Sequence, residues 1–255
     1  MSGPAAGSWV ERLWPRTAGE CRLFCLPYAG ASATVFRSWK HGLPSRISVC
    51  PIELPGRGMR HREPLYHRLL PLAGALAADL VPHLDLPFAF YGHSMGALLG
   101  FEVARMIQQR YGLGPTHVFV SGQRAPHLRR LGTPSHLLPD ADLVGRLRNM
   151  QGSPASILDD QEFMRLRLPI LRADFAIPET YAFATGPVLS CPLVAYGGAA
   201  DPEASRTDLD AWRGYTTNTF AVRIFPGNHF FLTTEQPALL GAIAGEIDRP
   251  HVPAA

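Results

Sequence analysis

No apolar run in this 255-residue chain approaches the roughly 18 residues that cross a bilayer as a helix, so a helical membrane span is excluded. Met1 to Trp14 contains no basic segment followed by an apolar core; no secretory leader is read there, and a cytoplasmic setting is expected. Cysteine is scarce. Cys21, Cys25, Cys50 and Cys191 form no Cys-x-x-Cys and no His/Cys cluster at zinc spacing, so neither a disulfide framework nor a metal site is expected. Lysine is almost missing: Lys40 is the single one among 24 basic residues, and the arginines are scattered rather than gathered on one face. With a formal net charge of only +3, nothing marks a nucleic-acid binder. What is abundant is core material. Hydrophobic residues make up 46% and charged residues 18%, a balance that excludes a disordered chain.

Residues 1 to 20, with Trp9 and Trp14 in a Pro/Gly-rich context, read as a surface arm with one short edge strand. Six apolar runs then read as strands: Arg22–Leu26, Ile47–Leu54 (shortened or bulged by Pro51), Phe88–Tyr91, His117–Ser121, Pro192–Gly198 and Phe220–Phe225. Helices are expected at Phe36–Leu43, Leu69–Leu84, Gly96–Tyr111, Arg206–Arg213 and Gln236–Ile247. Strand and helix alternate, and the strands are apolar on both faces. That pattern predicts an α/β fold with a mostly parallel central sheet and helices on both faces. Between about 125 and 186 the alternation breaks into helical patches, Asp140–Met150 and Asp160–Leu171. This stretch reads as a helical lid inserted into one domain spanning 1–255.

One turn organises the rest. The run Phe88-Ala89-Phe90-Tyr91 stops at Gly92, and a helix-like run opens at Gly96, with Ser94 between them in Gly-x-Ser-x-Gly. A strand, a sharp turn and a helix in that order expose a serine hydroxyl above the sheet, as a nucleophile elbow does. A serine needs a base to take its proton and a carboxylate to fix that base, in the chain order Ser, acid, His. Parallel sheets present their working groups on loops at the carboxyl ends of strands. His229, in Gly227-Asn228-His229, follows the last strand directly, whereas His251 lies in the Pro/Ala tail and His93 points away from the serine. Asp201 follows the fifth strand and is the expected acid; Glu203, Asp208, Asp210 and Asp174 are less suited. An oxyanion hole needs two backbone N–H groups, one from Met95 after the serine and one from the loop Tyr28-Ala29-Gly30, with Ala29 the better choice.

These residues and their surroundings resemble the type II thioesterases of the α/β-hydrolase superfamily. The blocks are Leu26-Pro27-Tyr28-Ala29-Gly30, Glu53-Leu54-Pro55-Gly56-Arg57-Gly58, Tyr91-Gly92-His93-Ser94-Met95-Gly96, Leu168-Pro169-Ile170-Leu171-Arg172-Ala173-Asp174-Phe175, Gly197-Gly198 with Asp201-Pro202, and Gly227-Asn228-His229-Phe230-Phe231. They fall in the family's order across about residues 9 to 247. Tyr28 departs from the histidine of many members, and Ala199-Ala200 replaces a charged or polar residue. The resemblance implies a serine hydrolase that cleaves acyl thioesters from the phosphopantetheine arm of acyl or peptidyl carrier domains, beside a polyketide synthase or nonribosomal peptide synthetase. It implies no cofactor of its own and no metal, and a monomer is expected. The lid would form an acyl chamber lined by Met150, Phe163 and Met164, with Arg57, Arg60 and Arg62 available to an acidic carrier protein. A carboxylesterase or lipase, a product-releasing thioesterase and a catalytically silent binding module are the alternatives.

Overall fold

The computed structural model describes Trp9 and residues 19–128, 132–152 and 154–249. Six strands, β1 (Cys21–Leu26), β2 (Ile47–Pro51), β3 (Phe88–His93), β4 (His117–Ser121), β5 (Leu193–Gly198) and β6 (Phe220–Phe225), form one sheet. Every pairing is parallel, and the order is β2-β1-β3-β4-β5-β6. The chain reverses its direction of travel between β1 and β3, the switch point where such sheets open a crevice at their carboxyl ends.

Alternation along the strands divides the core. Phe24, Leu26, Phe90, Val118, Val120 and Ala195 face one side, packed by α1 (Leu69–Leu80) and α2 (Met95–Tyr111). Leu23, Cys25, Tyr91, Phe119, Val194 and Tyr196 face the other, packed by α7 (Gln236–Ile247). All four cysteines are buried free thiols.

Two expected helices are shorter or tighter than their sequences suggest. Phe36–Leu43 is not an α-helix: the segment makes 3-10 turns at Ala33–Phe36 and Trp39–His41. Phe36 and Trp39, three apart, meet edge to face at 4.9 Å and both reach Tyr91, a spacing that a three-residue turn aligns. Likewise Arg206–Asp210 (α6) passes into a 3-10 turn at Ala211–Tyr215, which buries Trp212 and Tyr215 together. Trp9 is no surface residue. Only 7% exposed, it donates its N–H to Asp79 at 3.1 Å and lies 4.1 Å beneath the Arg60 guanidinium. Trp14 and the expected edge strand lie outside the described residues.

Between β4 and β5 come α3 (Asp140–Met150), α4 (Ala155–Asp159) and α5 (Gln161–Glu179). Asp160 caps α5 by accepting the Phe163 N–H at 2.9 Å. The helix runs eight residues past the expected Leu171 and through Pro169, which removes one backbone hydrogen bond. Packing compensates: Leu168, Leu171 and Phe175 join Leu143, Leu158 and Met164 in a third apolar cluster.

Candidate active site

The turn after β3 brings backbone within contact of backbone. A Cβ at Gly92 would lie 2.0 Å from the Gly96 carbonyl oxygen, and one at Gly96 2.3 Å from that of Leu26. Between them Ser94 sits at φ 53° and ψ −119°, a conformation that costs a side-chain-bearing residue roughly 1–3 kcal/mol. Its N–H donates to the Ser121 carbonyl at 2.7 Å, which pins the elbow to β4.

His229 and Asp201 meet because the loops after β5 and β6 are hydrogen-bonded together. The Ala199 N–H donates to Phe225 and the Ala200 N–H to Gly227, both at 2.8 Å. His229 Nδ1 then lies 2.9 Å from Asp201 Oδ2, with the two side chains 3% and 0% exposed. The other carboxylate oxygen accepts the Glu203 N–H at 2.8 Å. A carboxylate held this way keeps the proton on Nδ1 and leaves Nε2 free to accept one.

Ser94 and His229 share one cavity of about 300 Å³ with the loop Tyr28–Ser32 and the helices α3 to α5. Met150, Phe163 and Met164 all line it, together with Ile157, Leu158 and Phe175, so its far wall is apolar. Tyr28, the departure from the family pattern, packs edge-on against His93 at 5.8 Å and Phe230 at 5.3 Å. Of the N–H groups in Tyr28-Ala29-Gly30, that of Gly30 is already committed, donating to Asp174 Oδ2 at 2.7 Å. Ala29 lines the cavity beside Ser94. Met95 is the first residue of α2, where an N–H has no partner within its own helix.

The other candidate acids have other partners. Asp174 pairs with Arg57 at 2.5 and 2.6 Å, Glu203 with Arg146 at 3.4 Å, and Asp210 with Arg206 at 3.1 Å. Asp208 closes a capping box with Ser205. His251 lies outside the described residues. Among the arginines expected to face a carrier protein, Arg57 (3% exposed) and Arg60 (6% exposed) are buried and unavailable. Arg60 is spent on Glu63 and the Trp9 ring, and Arg62 alone of the three is exposed.

Two supports were not visible in the sequence. His93 is fully buried, with Nδ1 2.9 Å from Ser121 Oγ, and its ring lies 4.9 Å from that of His229. Burial, and then the neighbouring His229, hold it well below the usual histidine range, so it stays neutral beneath the second ring. The second support is the Arg57–Asp174 pair, whose partners stand 117 positions apart. No helix among the described residues is long and apolar enough to cross a membrane, and none of their His, Cys, Asp and Glu side chains group to hold a metal ion.

Comparison with known proteins bears on the family and the fold. Residues 21–247 match the model of the thioesterase domain family. "Linear gramicidin dehydrogenase LgrE" of Brevibacillus parabrevis is 44% identical over 88% of this chain and 86% of its own length. The structure of RedJ, a thioesterase from the prodiginine biosynthetic pathway in Streptomyces coelicolor, is 42% identical over 90% of this chain and 86% of that one, with a TM-score of 0.85. The type II thioesterase BorB from the borrelidin biosynthetic cluster superposes with a TM-score of 0.87 at 35% identity, covering 96% of this chain and 100% of that one. The turn after β1 reads Pro27-Tyr28-Ala29-Gly30-Ala31 and is not the Gly-x-Gly-x-x-Gly that cradles a dinucleotide.

Proposed function

The chain belongs to the thioesterase family, and from that premise we propose that it removes stalled or wrong acyl groups from carrier domains of a polyketide synthase or nonribosomal peptide synthetase. The observation that carries this reading is the buried His229–Asp201 pair opening, with Ser94, onto an apolar cavity sized for an acyl chain. His229 takes the Ser94 proton, and Ser94 Oγ attacks the thioester carbonyl. The N–H groups of Met95 and Ala29 hold the oxyanion; its collapse breaks the C–S bond, and the departing phosphopantetheine thiolate takes the proton from His229, which is again free to act as a base. A thiol with a pKa near 8.5 departs with little help from an acid, which suits thioesters better than amides. Water, activated by His229, then attacks the acyl-serine, and the free acid departs while Ser94 regains its proton.

The helices α3 to α5 serve as the lid of a single domain and set how much acyl chain is admitted. The chain needs no cofactor, because the base, nucleophile and electrophilic N–H groups are its own; the pantetheine arm arrives with the carrier domain. The setting is the cytoplasm, which suits four free thiols, and the working unit is a monomer.

Hydrolysis of acyl-carrier protein, acyl-coenzyme A and simple oxygen esters by wild type and Ser94→Ala tests the reading. Carrier-bound thioesters should turn over fastest, and Ser94→Ala should abolish their hydrolysis. Strong preference for oxygen esters would replace the thioesterase reading with a carboxylesterase; undiminished turnover by Ser94→Ala would refute the mechanism.

A further inference from the structure

We infer that the inward face of α5 is a positioning element for the oxyanion loop: Arg167, Leu171 and Asp174 together orient the peptides around Ala29 and Gly30, and Arg57 holds Asp174 for that task. The inference rests on the assignment of Ala29 as an oxyanion donor. Arg167, Leu171 and Asp174 are spaced by four and three residues, which places them on one helix face. All three meet Gly30. Asp174 accepts its N–H at 2.7 Å, and Arg167 donates to its carbonyl. A Cβ on Gly30 would lie 2.5 Å from Leu171 Cδ2, and its φ of +78° is one that a larger residue resists.

The constraint passes to Ala29 through planar peptides. The Tyr28 carbonyl accepts the Ala31 N–H at 3.0 Å, and the Ala29 N–H shares that carbonyl's peptide plane, pointing the opposite way. Ala31 is itself fixed, because Arg57 donates to its carbonyl at 3.1 Å while gripping Asp174 with both terminal nitrogens. With Gly30 and Ala31 held, the Ala29 N–H has one direction left. The Arg57 and Asp174 side chains are 3% and 1% exposed. A buried ion pair of this kind is often no more stabilising than a well-packed apolar pair, so stability is a poor account of it. A fixed geometry is a better one. Because α5 also lines the acyl cavity through Met164 and Phe175, one helix both receives the acyl chain and aims the donor that meets its carbonyl.

The test compares wild type, Arg57→Met/Asp174→Leu and Arg167→Met with octanoyl-coenzyme A as substrate and an alkyl boronic acid as a tetrahedral mimic. The double variant removes the pair without leaving a lone buried charge. It should keep a Tm within a few degrees of wild type, while kcat falls about 10²-fold, as when an oxyanion donor is lost. KM should change less than about threefold, and boronate affinity should weaken in step with kcat. Arg167→Met should lower kcat about tenfold, again with KM held, and it carries the test alone should the double variant not fold. A double variant, or failing that Arg167→Met, whose kcat and boronate affinity match wild type would overturn the inference. Failure of the wild type to hydrolyse thioesters, or to form a Ser94 adduct, would instead sink the proposed function.

Discussion

Asp201→Asn isolates what the carboxylate does for His229, because the structure dictates how the amide must sit. One carboxylate oxygen accepts the Glu203 N–H at 2.8 Å and the other faces His229 Nδ1 at 2.9 Å. A backbone N–H can only donate, so the asparagine oxygen takes the Glu203 side and its NH2 turns to His229. Nδ1 then has to accept, the ring proton moves to Nε2, and the base faces Ser94 with nothing to accept a proton. Loss of the correct tautomer in such a triad costs on the order of 10⁴ in kcat, about 5 kcal/mol of barrier at about 1.4 kcal/mol per decade. The side chains keep their volume, so Tm should move by only a few degrees. Thiol release from an acyl-coenzyme A substrate, followed with a thiol-reactive dye, measures the loss. A fall of tenfold or less, in a variant of unchanged Tm, would mean that Asp201 does not set the His229 tautomer and that the acid has been misassigned.

Gly92→Ala puts a methyl 2.0 Å from the Gly96 carbonyl oxygen, backbone against backbone, and is expected to cost more than about 3 kcal/mol or prevent folding, read by thermal unfolding and soluble yield. Met164→Ala, at a cavity-lining residue only 5% exposed, should lengthen the preferred acyl chain by about three carbons, for the three heavy atoms removed, at about 2–5 kcal/mol of stability. An unchanged chain-length profile would place the acyl group elsewhere. His93 titrates well below the usual histidine value in the folded protein but normally, near about 6.5, in the unfolded chain, so the unfolded state binds the extra proton at low pH. Stability should therefore fall as pH drops below about 6.5, by up to about 1.4 kcal/mol per unit from this group, and His93→Gln should flatten that dependence in a Tm series from about pH 7.5 to 5. Identical slopes would show that His93 is protonated in the fold.

Much of this protein can be read from local sequence because the physical constraints there are local. A strand buried on both faces must be apolar through its middle, so β4, buried along its whole length, matches its expected span, and the two-residue period sorts Phe24 from Cys25 onto opposite faces. The elbow is legible in part because Gly92 answers a clash with Gly96 and Ala97, five residues away or fewer, whereas Gly96 answers one with the distant Leu26 carbonyl. His229 and Asp201 follow from strand order, since a parallel sheet puts both on the same edge. Where segments are short or polar, tertiary packing decided. Phe36–Leu43 winds as 3-10 because Phe36 and Trp39 reach for Tyr91, and α5 continues through Pro169 because its apolar face has a cluster to fill.

The meeting of His229 with Asp201, and their sharing of a cavity with Ser94, were therefore legible in the sequence alone, through spacing that any parallel α/β sheet converts into proximity. Only the folded chain decided that the Gly30 N–H is spent on Asp174 while Ala29 lines the cavity beside Ser94. Arg57 reads in sequence as a basic residue of a polar loop, and Asp174 as one acid among several. They become a buried pair because α5 returns across the loop after β1 from 144 positions away, where Gly30 needs an acceptor. Burial turns a solvent-facing charge into a fixed one, and burial belongs to the tertiary structure.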